Sequence, residues 1–200
     1  MGLSDEQLLN MKLKRNRILE TAIILFSEKG YEGTTVQNIA KAAGVSFGSV
    51  FTYFDNKEHL FHSAVVEPLL TYSQQLLNFN PDAEDFMNEL KNMITHHIDV
   101  FAGLSNYLNL VVFVIAQNKH HKSTFEELDD FHAKLKDKLI VLVKKGQTLG
   151  LLKIQDPAYT AISYTSLLMG LRLNLIDDPQ STLWEDFVPF AIQLFGPERQ

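Results

Sequence analysis

The 200-residue chain contains no cysteine. That absence excludes disulfides, thiolate metal sites, cysteine nucleophiles and thiol redox sensing together. Proline and glycine are sparse, at six and ten residues, too few for a collagen-like or low-complexity chain. Long apolar runs are missing as well. The longest, Leu110 to Ala116, has seven residues, against the about 20 that a helical membrane span needs. Met1 to Asn10 shows no basic start leading into an apolar stretch, so no signal peptide is read there. Gly2 is followed at position six by Glu6 rather than serine or threonine, and the myristoylation pattern fails. What remains, 46% hydrophobic and 21% charged residues, is the composition of a folded chain long enough for one or two small domains. A soluble, intracellular, cytoplasmic protein with no membrane partner is expected.

The formal net charge of −6 hides an asymmetry. Residues 10–57 carry seven Lys/Arg against four acids, a local +3, whereas residues 58–200 carry eleven basic and eighteen acidic groups, a local −7. A mildly basic first block on an acidic body suggests two regions with two tasks. A solvated charged face is the blander account of the same numbers.

Apolar spacing is helical almost throughout, with no strand-period run and no internal repeat. A first helix is expected from about Leu9 to Lys29, with Ile18, Leu19, Ala22, Ile23 and Phe26 on one stripe and Gly30 ending it. Thr35 is placed to cap a short helix from Val36 to Ala43, with Gly44 as the residue of positive φ beyond it. Ser46 caps another, Phe47 to Phe54, ended by Asp55 and Asn56. Longer helices follow from Lys57 to Asn78, from the Asn80–Pro81 start to Phe101, and from Ser105 to Gln117. Ser123 with Glu126 reads as a capping box for a helix ending near Thr148–Gly150. Asp156–Pro157 opens a helix to Ile176, broken by Asp177, Asp178 and Pro179; Thr182 caps the last, which Gly196–Pro197 close. The expected fold is all-α, about nine helices.

Ile39, Ala40, Ala43, Gly44, Val45 and Val50 supply what a helix-turn-helix requires physically. Ala40 permits close helix approach, Gly44 supplies the turn, and the valines close a small core. Around them, the string from Thr34 to Phe61, TTVQNIAKAAGVSFGSVFTYFDNKEHLF, resembles the DNA-binding domain of the TetR (tetracycline-repressor-like) family. Matching positions are Gly30, Tyr31, Thr34, Thr35, Ile39, Ala40, Ala43, Gly44, Val45, Ser46, Gly48, Tyr53, Phe54, Lys57 and Leu60, and the likeness covers about residues 12–61.

That resemblance implies a helix-turn-helix DNA-binding domain over 9–56 and an effector-binding and dimerisation domain over 57–200. It implies Thr35 and Val36 near phosphates, Gln37 as a base-edge reader, and Ser46, Phe47, Gly48 and Ser49 at the leading end of the recognition helix. Thr52, Tyr53 and Lys57 match backbone-contact positions. Two departures stand out. Phe51 occupies a position where the family usually has tyrosine, so a hydroxyl contact to phosphate is absent. Phe47 stands where polar groups are common, and suits a thymine methyl better than a hydrogen bond. The basic cluster Lys12, Lys14, Arg15 and Arg17 reads either as a reach to flanking phosphates or as a solubilising helix start.

A homodimer is also implied, its two recognition helices about 34–36 Å apart on successive groove faces. The natural interface is the last helix pair, through Ile162, Thr165, Ser166, Met169, Gly170 and Leu173 with Trp184, Phe187, Val188, Ala191, Ile192 and Phe195. A purely intramolecular bundle is the alternative. The central aromatics Phe86, Phe101, Tyr107, Phe113, Phe125, Phe131 and Tyr164, with Met93, His97 and Asn109, could line an apolar effector pocket, although an aromatic stripe at helical spacing more often forms core. In the family reading, effector binding tilts the helix that begins at Lys57 and releases DNA.

His59 and His62 stand three apart, and His96–His97 and His120–His121 are adjacent pairs that diverge by about 100° on a helix. With no cysteine and no clear His/carboxylate set at helical spacing, no metal site is expected, nor any cofactor or catalytic set. The leading expectation is a homodimeric, ligand-responsive transcriptional repressor on operator DNA. An all-α small-molecule-binding enzyme and an effector-independent architectural DNA-binding protein are the alternatives.

Overall fold

Local capping chemistry sets most of the helix boundaries. A computed structural model describes residues 4–174 and 181–197, and among them nine α-helices: α1 (Asp5–Gly33), α2 (Val36–Ala42), α3 (Phe47–Phe51), α4 (Lys57–Leu76), α5 (Phe86–Gly103), α6 (Ser105–Ala116), α7 (Lys122–Thr148), α8 (Pro157–Asn174) and α9 (Leu183–Leu194). Ser4 caps α1 by accepting from the Gln7 N–H while the Gln7 side chain accepts from the Ser4 N–H, so the helix starts four residues before the expected Leu9. Gly30 interrupts it at φ 69, ψ 176, backbone that side-chain-bearing residues essentially never adopt.

Several starts differ from expectation for local reasons. Asn80–Pro81 does not open α5. The Asn80 carboxamide instead accepts from the Asp82 N–H at 3.0 Å, forming its own turn, and Asp85 caps the helix by accepting from Asn88 N–H at 3.1 Å. Ser123 lies inside the first turn of α7 rather than capping it, because His121 precedes the helix with its ring buried and its carbonyl accepting from Phe125 N–H. Thr182 makes no side-chain cap bond; the Ser181 hydroxyl accepts from Leu183 N–H instead. Asp156 caps α8 as expected, accepting from Ala158 and Tyr159 N–H groups at 2.8 and 3.1 Å. The helix end at Ile176 and the Asp177–Asp178–Pro179 break lie outside the described residues.

Contacts group the chain into two units. The first holds residues up to Leu69 with Asn106–Leu128, and the second holds Leu70–Ser105 with the residues from Asp129 onward. In the first, Ile18, Ala22 and Phe26 of α1 are buried at helical spacing with Ile39, Val50, Phe54, Leu60 and Phe61. Each such fully buried phenylalanine stabilises the unit by roughly 1.5–3 kcal/mol. In the second, α5 buries Phe86, Leu90, Met93, Ile94, His97, Ile98 and Phe101, and it packs against α8 and α9. Among the described residues no single helix is long and apolar enough to cross a membrane.

Candidate nucleic-acid interface

The turn between α2 and α3 is built as the residue types require. Gly44 has φ +65, the Val45 N–H donates to the Ala40 carbonyl at 3.0 Å, and the Gly44 N–H donates to Lys41 at 3.2 Å. This paired arrangement satisfies carbonyls that the end of α2 would leave open. Thr35 caps α2 by accepting from Asn38 N–H at 3.1 Å, and Ser46 caps α3 by accepting from Ser49 N–H at 3.2 Å. Val50, Ile39 and Ala40 are buried, so α3 is held by one side only.

The opposite side of α3 is uncovered. Phe47 and Phe51 are 53% and 42% exposed, edge to face, with ring centroids 5.0 Å apart. Gly48 faces open space, and Thr52 is exposed just beyond the helix, which ends at Phe51 rather than at the expected Phe54. Gln37 and Thr35 are exposed at the start of α2. Val36 is not available: its side chain is buried, leaving only its main-chain N–H. Ser49 and Tyr53 are half-buried.

Two basic residues turn out to be held by the protein itself. Arg15, expected among the DNA-facing cluster, forms a two-pronged pair with the Glu67 carboxylate and lies 4.9 Å over the Phe54 ring. Its hydrogen bonds hold the Glu67 carboxyl below the ordinary carboxylate range, opposed in part by burial. Arg15 therefore ties α1 to α4 and to Phe54, three residues beyond the end of α3. Lys12, Lys14 and Arg17 are exposed. Lys57 places its ammonium 4.1 Å over the Tyr31 ring, a cation–π contact that fixes the charge at the start of α4. Burial, then the Glu58 and Glu32 carboxylates, push the Tyr31 hydroxyl up to about 12. Sequence reasoning missed Asn56. Its carboxamide accepts from His59 N–H at 2.8 Å and caps α4; the N-cap preference for asparagine was the available signal.

The expected pocket residues separate. Tyr107 and Phe113 belong to the first unit, where the Tyr107 hydroxyl donates to the Val65 carbonyl at 2.8 Å and the Phe113 ring meets Phe61 edge to face and His121 at a tilt. Phe86, Met93, His97, Phe101, Phe131 and Tyr164 lie in the second. Of these, His97 and Tyr164 meet directly: His97 Nε2 is 2.8 Å from the Leu76 carbonyl and Nδ1 is 3.1 Å from the Tyr164 hydroxyl. A carbonyl only accepts, so Nε2 carries the hydrogen and Nδ1 accepts from Tyr164. Burial lowers the His97 pKa to about 4. Phe86, Met93, His97, Phe101 and Tyr164 are buried and Phe131 is half-buried. Two further histidines have protein partners, His62 with Thr124 and His121 with Glu58. Among the described residues no three His, Asp or Glu side chains converge as a metal would need.

The interface expectation needs a similar correction. Trp184, Val188, Ala191 and Phe195 are buried within the chain's own fold. Outward lie Ile162, Ser166 and Leu173 of α8, exposed, with Thr165 and Met169 half-exposed; on α9, Phe187 and Ile192 are half-exposed. The sequence reading missed Leu183 and Phe190, which are exposed beside them.

A buried-backed helix-turn-helix whose second helix projects bare side chains defines a DNA-binding protein of the helix-turn-helix class. The family model "Bacterial regulatory proteins, tetR family" matches residues 18–64. A biofilm operon icaADBC HTH-type negative transcriptional regulator, IcaR of Staphylococcus epidermidis, is 30% identical over 168 residues, covering 80% of each chain. The chain belongs to the TetR family, and it is a transcriptional regulator rather than an enzyme. Solved structures share the fold. A tetR-family regulator from Rhodococcus RHA1 matches with TM-score 0.76 at 20% identity, covering 93% of this chain and 98% of that one. AibR, solved in complex with isovaleryl coenzyme A and operator DNA, matches with TM-score 0.70 at 24% identity, covering 92% and 100%.

Proposed function

We propose that the protein is a homodimeric repressor acting in the cytoplasm, with residues 9–56 reading operator DNA and residues 57–200 serving dimerisation and effector response. The uncovered outer side of α3 carries this reading, because it is the surface a major groove would receive. Support for repression comes from IcaR, a negative regulator. AibR, bound to both an acyl coenzyme A and operator DNA, supports a small-molecule effector. In this chain a largely apolar effector would be taken in the second unit, among Phe86, Met93, Phe101, Phe131 and Tyr164. The helix α4 runs by chain connection from one unit into the other and is the element that would carry the response.

Selection of bound duplexes from a random pool, repeated with candidate acyl and apolar ligands, tests this reading. The expected product is a two-fold-symmetric site whose retention falls when the right ligand is added. Binding that is indifferent to sequence would instead support an architectural role. On the selected site, Lys57→Ala is expected to weaken binding about equally for all sequences and to lower the salt slope by about one. Fluorescence anisotropy across a salt series measures it, and an unchanged slope removes Lys57 from the phosphate contacts. Gln37→Ala should relax preference at one base position per half-site; a uniform loss would make Gln37 a backbone contact.

A further inference from the structure

We infer that this regulator reads its operator chiefly through thymine methyl groups, with Phe47 and Phe51 as the specificity-determining side chains. The inference rests on the DNA-binding reading above and names the chemistry of that site. Its origin is the polar content of α3. Arginine, lysine, asparagine and glutamine, the side chains that grip guanine or adenine edges with two hydrogen bonds, are all absent from the helix. Its two neighbouring serines are engaged with each other: Ser46 and Ser49 hydroxyls stand 2.7 Å apart, and Ser46 also accepts from the Ser49 N–H. Val50 is buried and Gly48 has no side chain. The two phenyl rings are what α3 has left to present.

Among the groups that base pairs expose in the major groove, the thymine C5-methyl is the apolar one. A phenyl ring laid on a methyl buries apolar surface from both partners. Laid on the acceptors of guanine or the amino group of cytosine, it removes them from water with no replacement bond, which is unfavourable. Both attraction and rejection therefore favour thymine. The rings hold each other edge to face at 74°, so little side-chain freedom is lost on docking. Residues 47 and 51 are one turn apart, roughly 6 Å along the helix, which is about two base-pair steps at 3.4 Å each. Gly48 between them leaves the backbone free to approach the groove.

The test uses the full-length protein and the duplex recovered by selection. Each dT of the half-site is replaced singly by dU, which deletes the methyl and leaves every hydrogen-bonding group in place. One or two positions per half-site are expected to lose affinity about fourfold, the factor equivalent to ~0.8 kcal/mol per buried methyl-sized group. At those positions dC should bind poorly, and 5-methyl-dC should recover part of the loss. Phe47→Ala and Phe51→Ala, both at exposed positions, should each abolish the dT/dU difference at one position and keep the salt slope. Equal binding of dT and dU throughout the half-site, or an undiminished dT/dU ratio in both alanine variants, overturns the thymine inference alone. Failure to enrich any duplex overturns the DNA-binding reading and this inference with it.

Discussion

A Leu173→Glu, Phe190→Glu double variant is expected to sediment as a monomer and to lose at least about a hundredfold in operator affinity. The expectation comes from two stripes on α9. Trp184, Val188, Ala191 and Phe195, spaced i, i+4, i+7 and i+11, are buried inside the chain. Leu183, Phe187, Phe190 and Leu194 repeat the same spacing one residue earlier and are exposed or half-exposed. Tyr159, Ile162, Met169 and Leu173 form a comparable outward line on α8. Phe190 alone is 57% exposed. One subunit has no use for so continuous an apolar surface, whereas a two-fold interface needs roughly 800 Å² from each partner. In a symmetric pair each substitution appears twice, and an unpaired carboxylate in such a contact costs several kcal/mol. Separation turns a two-site grip on the operator into a one-site grip, a factor of about 10²–10⁴. Analytical ultracentrifugation and anisotropy measure the two effects, and the exposed positions leave the fold's own core unaltered. A variant that remains dimeric with full affinity would place the interface elsewhere on the molecule.

Stability should fall as pH drops from about 6.5 toward about 4, by up to about 3 kcal/mol, because of His97. The folded protein buries this imidazole between Leu76 and Tyr164, and burial lowers its pKa from 6.5 to about 4. The Leu76 carbonyl opposes that shift and the neighbouring His96 adds to it. Between those two values the unfolded chain binds a proton that the folded chain refuses, so acid favours unfolding. Above pH 6.5 both states hold neutral histidine and the contribution is complete. The magnitude follows from about 1.4 kcal/mol per pKa unit. Urea denaturation at steps from pH 7.5 to 5 measures it, with His97→Gln as the comparison. The glutamine variant has a lower baseline, but its stability should vary far less across that window; an identical slope in both proteins would relieve His97 of the effect. The Glu67 carboxyl, held low by Arg15, acts in the same direction but at lower pH. Its contribution is present above the ordinary carboxylate range and is lost only as pH falls below it.

The DNA-binding unit was the most legible part of the chain because its geometry is written in local residue types. Thr35 and Ser46 cap the helices they precede, and Gly44 takes the positive φ that its turn demands. Such features depend on a side chain and a backbone group two or three residues away, which is the range that reading along a sequence covers. Asn80–Pro81 shows the limit. An asparagine before proline suits both a helix start and an isolated turn, and the competing cap at Asp85 decided between them.

Direction in space was less legible. Arg15 lies in a basic run that points toward DNA on paper, and only the presence of Glu67, 52 positions later, shows that it is a tie between helices. Tyr107 and Phe113 looked equivalent to Phe86 and Phe131 as aromatic lining, yet they pack in a different unit. On α9 two adjacent stripes are both apolar, Leu183, Phe187, Phe190 and Leu194 beside Trp184, Val188 and Ala191, so periodicity alone could not say which faces the chain and which faces outward.

By itself, then, the order of amino acids determined the helical class, the turn between α2 and α3, and kinship with the TetR family, since each depends on short-range spacing. Tertiary structure alone decided that α3 presents two phenyl rings, that His97 is neutral and enclosed, and that Phe190 rather than Trp184 faces solvent. The reason is physical: burial and pKa depend on which distant segments come together, and that pairing is absent from any local pattern.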